Sequence, residues 1–233
     1  MNMEISSKKL TIECIACYAI CLILTAINAV LYRMGSAAAE FAWFAAVFAL
    51  IAVPLVAVRR IHPRDEVEAG IWIKWSLKDL LFGVVVVLIL FIPVALGNHF
   101  VRTQIQGLQF AFDWANYQSL QTPLYYELFI QLLCVALPEE FFFRGYLQTA
   151  IQKIAKNHDK ISRYAVPVSI VMASALFALL HLPSGDFSRL LTFFPGLLFG
   201  FIRFKTNGLL GAIFCHAMCN MMMVVMNVHY FGA

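Results

Sequence analysis

Long apolar blocks decide what this chain can fold into. Runs of about 18 to 25 residues, apolar without strict alternation, recur along its whole length. Hydrocarbon offers backbone N–H and C=O groups no partner, so only helices or a closed barrel can span it. Barrel strands of about 9–11 residues are too short for these runs. The sequence therefore predicts an all-α fold, a polytopic transmembrane helical bundle. Composition agrees: 13% of residues are charged and mean hydropathy is +0.80, where a soluble domain carries about 25% charged residues.

About seven spans are expected, near 10–32, 37–58, 79–97, 122–150, 164–182, 188–204 and 208–230. Lys8 and Lys9 ahead of the first run imitate a secretory signal. The run from Leu10 to Tyr32 is longer than the roughly 7–15 residues of a signal core and contains Glu13, so it reads as a retained span. No linker, low-complexity stretch or internal repeat divides the chain.

Basic residues set the expected topology. Of the 17 Lys and Arg, all but Arg33, Arg102, Arg189 and Arg144 fall on one side of a seven-span arrangement. Arg59, Arg60, Arg64, Lys74 and Lys78 share one such loop, and Lys153, Lys156, Lys160 and Arg163 another. Positive loops stay cytoplasmic, which places the N-terminus inside and the C-terminus on the opposite side. Topology accounts for the net charge of +4, so no nucleic-acid partner is implied. The longest outer segment, 98–123, carries Trp114 and Tyr117, residue types common at interfaces.

The six cysteines all lie in expected spans. Cys14, Cys17 and Cys21 share a helical face but lack the histidine or fourth thiol that a metal site wants. They read as small apolar side chains, and no disulfide framework is apparent.

Ionisable residues inside spans are costly and mark a protein interior or a water-lined cavity. In the N-terminal half only Glu13 and Glu40 intrude, both near span ends. The rest concentrate in the last half: Glu127, Glu139, Glu140 and Arg144 in the fourth span, His181 closing the fifth, His216 and Asn220 in the seventh. Glu140 and Arg144 are four apart, so a carboxylate–guanidinium pair can form along the helix. Glu139 points away from that pair and is left as the carboxylate suited to proton transfer. His216 and Asn220 project from one face as a donor pair. At 1.5 Å per residue, Glu139, His216 and Asn220 lie about 17, 12 and 18 Å from the cytoplasmic ends of their spans, and His181 about 26 Å, some two turns farther out. Phe177 reads as core packing, and Gly196 with Gly200 as a close helix contact.

These residues resemble a known family. Pro138-Glu139-Glu140-Phe141-Phe142-Phe143-Arg144-Gly145 is similar to the E-E-x-x-x-R motif of the CPBP (CAAX protease and bacteriocin-processing, Abi) intramembrane glutamic-type proteases, which include type II CAAX prenyl endopeptidases. Phe177 to His181 resembles the F-x-x-x-H motif, and His216 to Asn220 the H-x-x-x-N motif. The resemblance covers residues 120–225, with Pro195, Gly196, Gly200 and Thr206-Asn207-Gly208 in family-like places. It implies an intramembrane protease core over 120–230; residues 1–119 have no specific match and, with no linker between, read as N-terminal helices of the same bundle. It implies an endopeptidase in which Glu139 and His181 activate water and His216 with Asn220 hold the oxyanion. Glu140 and Arg144, with Phe177, would shape the site. The implied substrate is a peptide or protein with a membrane-anchored or lipidated tail.

The family is often labelled metalloprotease, and zinc would take Glu139, His181 and His216. A metal-free site is preferred, because no H-E-x-x-H-like motif ties two ligands together. Glu139→Ala should abolish cleavage and Glu127→Ala should not. Two other classes stand beside the protease. One is a non-catalytic immunity or scaffold protein, which is expected to have lost motif residues. The other is a small proton-coupled transporter, which commonly shows internal repeats.

Overall fold

Among the described residues the apolar runs fold as helices. The computed structural model describes residues 7–61, 66–72, 76–112 and 122–231. Helix α1 spans Ser7–Arg33 and α2 spans Ala38–Ile61. A short α3, Glu66–Ile71, precedes α4, Leu77–Phe100, which runs on through a wider turn to Ile105. Ser76 caps α4 by accepting the Asp79 backbone N–H at 3.3 Å. A long helix α5 occupies 124–156, followed by α6 (Ala165–Leu180), α7 (Phe193–Thr206) and α8 (Leu210–Asn227).

Among the described residues, six helical segments are long and apolar enough to cross a membrane: Ser7–Arg33, Ala38–Arg59, Leu77–Ile105, Ser162–Ser184, Phe187–Thr206 and Leu210–Asn227. They mark a multi-pass integral membrane protein. Helix α5 stands outside that set because it holds the expected chemistry, with Glu127, Glu139, Glu140 and Arg144 along its length. The segment 98–123, expected on the outer side, is only partly loop among its described residues. Its helix extends to Ile105, and Gln109–Phe110 (β1) pairs antiparallel with Tyr230–Phe231 (β2) beyond the end of α8. Trp114 and Tyr117 lie outside the described residues, as do Arg64 and Lys74 of the basic loop.

Helix α5 is not uniform. Ordinary turns at Leu124–Phe129, Leu137–Glu140 and Gln148–Lys156 alternate with wider ones at Ile130–Ala136 and Phe141–Leu147. In the wider turns N–H groups reach five residues back, from Leu137 to the Leu132 carbonyl and from Gln148 to that of Phe143. Pro138 follows the first of them. It lacks an N–H and crowds the preceding turn, and a widened turn relieves that conflict without breaking the helix.

The main core joins Leu10, Cys14, Cys17 and Cys21 of α1, Leu50 and Val58 of α2, Phe142, Phe143, Tyr146 and Leu147 of α5, and Phe177 of α6. The cysteines there are free and buried, as expected of apolar packing. Glu13 is placed differently from the expectation of a span end: it is buried, and the Tyr146 hydroxyl donates to its Oε1 at 2.7 Å. Across the bundle α4 and α8 meet backbone to backbone. A Cβ on Gly83 would lie 2.5 Å from the Gly211 carbonyl oxygen and 2.8 Å from its Cα. The buried Asp79 side chain is wedged beside Gly208 and Gly211 at the start of α8.

Candidate active site

The two widened turns of α5 bracket the short stretch Leu137–Glu140, and the acidic pair sits there. Consecutive residues on a helix diverge by about 100°, so Glu139 and Glu140 face different surroundings. Glu140 is fully buried. Its Oε1 accepts Nη1 of the equally buried Arg144 at 3.1 Å, the i, i+4 pair expected from spacing. The same oxygen lies 2.8 Å from Nδ1 of His216. Glu139 retains 16% side-chain exposure, and its Oε2 lies 3.6 Å from Nε2 of His216. One imidazole thus stands between two carboxylates, with Nδ1–H donated to Glu140 and Nε2 turned toward Glu139.

Arg144 is held from three directions. Besides Glu140, its Nη2 donates to the Gly196 carbonyl at 3.0 Å. Its guanidinium lies 4.6 Å from the Phe177 ring centroid, 5.4 Å from that of Phe199 and 5.9 Å from that of Phe143. A charge placed in hydrocarbon needs such hydrogen bonds and ring faces to offset desolvation. One turn on, Gln148 repeats the link, donating Nε2 to the Gly200 carbonyl at 3.1 Å. The glycines make room for close approach opposite both. A Cβ on Gly196 would lie 3.2 Å from Arg144 Nη2, and one on Gly200 3.0 Å from Gln148 Oε1. The spacing Gly196/Gly200 therefore matches Arg144/Gln148 rung for rung.

His181 follows the last residue of α6, and its ring folds back along the helix so that Nδ1 meets the Phe177 carbonyl at 2.9 Å. With Nδ1–H donated there, Nε2 carries the lone pair. The Phe177 ring makes edge contacts with both imidazoles, at 5.0 Å from His181 and 5.7 Å from His216. Phe199 stacks on His216 at 4.7 Å with the planes 17° apart. The structure thus joins Glu139, Glu140, Arg144 and His216 directly and brings His181 to them through Phe177. No hydrogen bond or ion pair among the described residues links His181 to Glu139.

Asn220 takes a partner that the sequence reading lacked. Its Nδ2 donates to Gln131 Oε1 at 2.9 Å; Gln131 Nε2 donates to Glu127 Oε1 at 2.8 Å, and Thr122 Oγ1 to Glu127 Oε2 at 3.2 Å. The available signal was Glu127 and Gln131 at i, i+4 on the helix that carries Glu139. The residues proposed for zinc do not fit that ion as arranged. No group of three His, Cys, Asp or Glu among the described residues is placed to hold a metal. The described cleft lies away from this site, between α1 and α2. It encloses about 660 Å³ and is bordered by Lys9, Glu13, Cys17 and apolar side chains.

Residues 120–222 match the family described as Type II CAAX prenyl endopeptidase Rce1-like. No curated protein and no solved structure matches the chain.

Proposed function

Residues 120–222 belong to the Rce1-like type II CAAX prenyl endopeptidases, peptide-bond hydrolases that act on peptide substrates, and on that premise we propose that this chain is an intramembrane endopeptidase whose water is activated by Glu139 and His181. Glu139, the acid free of Arg144, takes a proton from water as the oxygen bonds to the scissile carbonyl carbon. His181, with its lone pair on Nε2, shares that task. The carbonyl electrons move onto oxygen, where His216 Nε2–H, in the doubly protonated ring, and an Asn220 N–H stabilise them. Collapse breaks the C–N bond, and the proton held by the acid passes to the leaving amine. Glu140 and Arg144 hold His216 in register, with Phe177 between the imidazoles.

The observation that carries this reading is His216 standing between Glu139 and Glu140, inside a region that matches a protease family. The chemistry uses the chain's own side chains and no metal. The substrate class is a peptide with a membrane-anchored or prenylated tail, delivered from the bilayer. Residues 120–230 act as the protease core and residues 1–119 as supporting helices of the same bundle. The positive-loop bias puts the N-terminus in the cytoplasm, and seven passes put the C-terminus opposite.

The test is cleavage of membrane-delivered peptide tails by wild type beside Glu139→Gln in liposomes. Wild-type cleavage that Glu139→Gln abolishes supports the proposal; equal cleavage by both overturns it. Activity that survives strict chelation supports the metal-free chemistry. Stoichiometric zinc lost on His181→Ala overturns it.

A further inference from the structure

Asn220 is an amide, and an amide is useful as an oxyanion donor only if its N–H groups face the right way. Its oxygen and nitrogen have nearly the same shape, so packing alone does not choose between the two orientations; a hydrogen-bond partner of fixed polarity does. The structure supplies one two links away. Glu127 lies on the first turn of α5, where the positive end of the helix dipole favours a carboxylate. An ionised carboxylate only accepts hydrogen bonds, and this one receives Thr122 Oγ1 on Oε2 and Gln131 Nε2 on Oε1.

That contact dictates the rest. With Nε2 of Gln131 turned to Glu127, its Oε1 must face Asn220, and Asn220 must answer with Nδ2, at 2.9 Å. If Gln131 were reversed, two oxygens would face each other at Glu127. Its NH₂ would then face Asn220 and draw Oδ1 toward itself, carrying the remaining Asn220 donor away from its present direction. Thr122, Glu127, Gln131 and Asn220 thus form a chain of fixed sense, which ends one helical turn beyond His216.

We infer that Glu127 and Gln131 are positioning residues that set the sense of the Asn220 amide, so that one Nδ2 hydrogen is held by Gln131 and the other stays available to the oxyanion. This rests on the endopeptidase proposed above. Neither residue touches the reacting atoms; both act through Asn220.

The chain makes an exchange test available. Gln131→Leu removes the acceptor, and Glu127→Gln removes the fixed polarity. The double exchange Glu127→Gln with Gln131→Glu moves the carboxylate one link along. At position 131 it accepts from both the amide at 127 and Asn220, and the amide oxygen at 127 still accepts from Thr122. Every donor keeps an acceptor, and total charge is unchanged.

The measurement is kcat and KM in liposomes on a membrane-delivered peptide tail. Gln131→Leu is expected to lower kcat about tenfold with KM nearly unchanged, less than the roughly 10²–10³-fold loss on removing an oxyanion donor itself. Glu127→Gln should lower kcat severalfold without abolishing cleavage, and the double exchange should return it to within about twofold of wild type. Wild-type kcat in Gln131→Leu, losses confined to KM, or a double exchange no better than the worse single variant would each overturn the inference. If Gln131→Leu does not fold, Glu127→Gln against the double exchange decides the matter. Glu139→Gln run alongside separates the two levels. If it cleaves like wild type, the endopeptidase itself fails and this inference with it. If it is inactive while Gln131→Leu keeps its rate, only the positioning role fails.

Discussion

Nδ1 of His216 lies 2.8 Å from Oε1 of Glu140, and the same oxygen receives the guanidinium of Arg144 at 3.1 Å. A single carboxylate oxygen thereby ties α8 to α5 and neutralises the buried cation. Its neighbour Glu139 is partly exposed and has no arginine, so adjacent glutamates hold different stations on the same helix.

That difference predicts a clean separation of phenotypes. Glu140→Ala strands a fully buried guanidinium, and breaking one side of such a pair costs about 3–5 kcal/mol. Thermal unfolding in detergent should show a large loss of stability. Glu139→Gln should unfold like wild type while losing turnover. A Glu140→Ala protein as stable as wild type would contradict the buried-pair account.

Phe177 separates the two imidazoles and lies under Arg144. Phe177→Ala should cost about 3–5 kcal/mol through the cavity it leaves. Phe177→Leu refills much of that volume but offers no ring to the guanidinium or to the histidines. It should cost less stability, about 1.5 kcal/mol, and still lower kcat clearly. Melting and cleavage measured on both variants test whether the ring matters beyond its bulk.

The contact between α4 and α8 predicts intolerance to a single methyl group. Gly83→Ala would place Cβ 2.5 Å from a backbone oxygen of Gly211, where no side chain can rotate away. Overpacking of this kind costs about 1–3 kcal/mol. Because α8 carries His216 and Asn220, turnover should fall with the melting temperature. Gly97→Ala is the control: a Cβ there meets nothing within 4 Å, and both measurements should stay at wild-type values or better.

Tyr146→Phe keeps the buried ring and removes the hydroxyl that donates to Glu13. A side-chain hydrogen bond contributes about 0.5–1.5 kcal/mol, so stability should drop by that order. The contact joins α1 to α5 away from the histidines, and kcat should stay within about threefold of wild type. A loss of activity without a loss of stability would show that this link serves chemistry.

Six of the seven expected spans were legible because lipid exposes apolar helices along most of their length, and hydropathy reads exposure to lipid directly. The fourth expected span forms a helix but falls outside the six, since its charges break the apolar run. The pair Glu140–Arg144 followed from i, i+4 geometry. For His181, a rise per residue locates the Cα atom and not the ring. The ring folds back to meet the Phe177 carbonyl, a placement that backbone arithmetic omits. The widened turns of α5 were hidden, since their hydrogen bonds shift by one residue without changing side-chain composition. Gln131 was half hidden: its bond to Glu127 follows from i, i+4 spacing, but its other partner, Asn220, lies 89 positions away. Glu13 looked peripheral because its place in the run was counted, while its burial depends on Tyr146 from another helix.

The meeting of Gly83 with Gly211 has a consequence for how such chains diverge. Gly83 lies outside the stretch that matches the family, and Gly211 lies inside it. Lipid-facing positions around Gly83 can drift among apolar residues with little effect, because any of them suits hydrocarbon. At that one crossing the early helix must stay smooth, whatever else it becomes. A chimera that grafts foreign leading helices onto the later ones would inherit the right hydropathy and still misalign the last helix unless a bare backbone met Gly211.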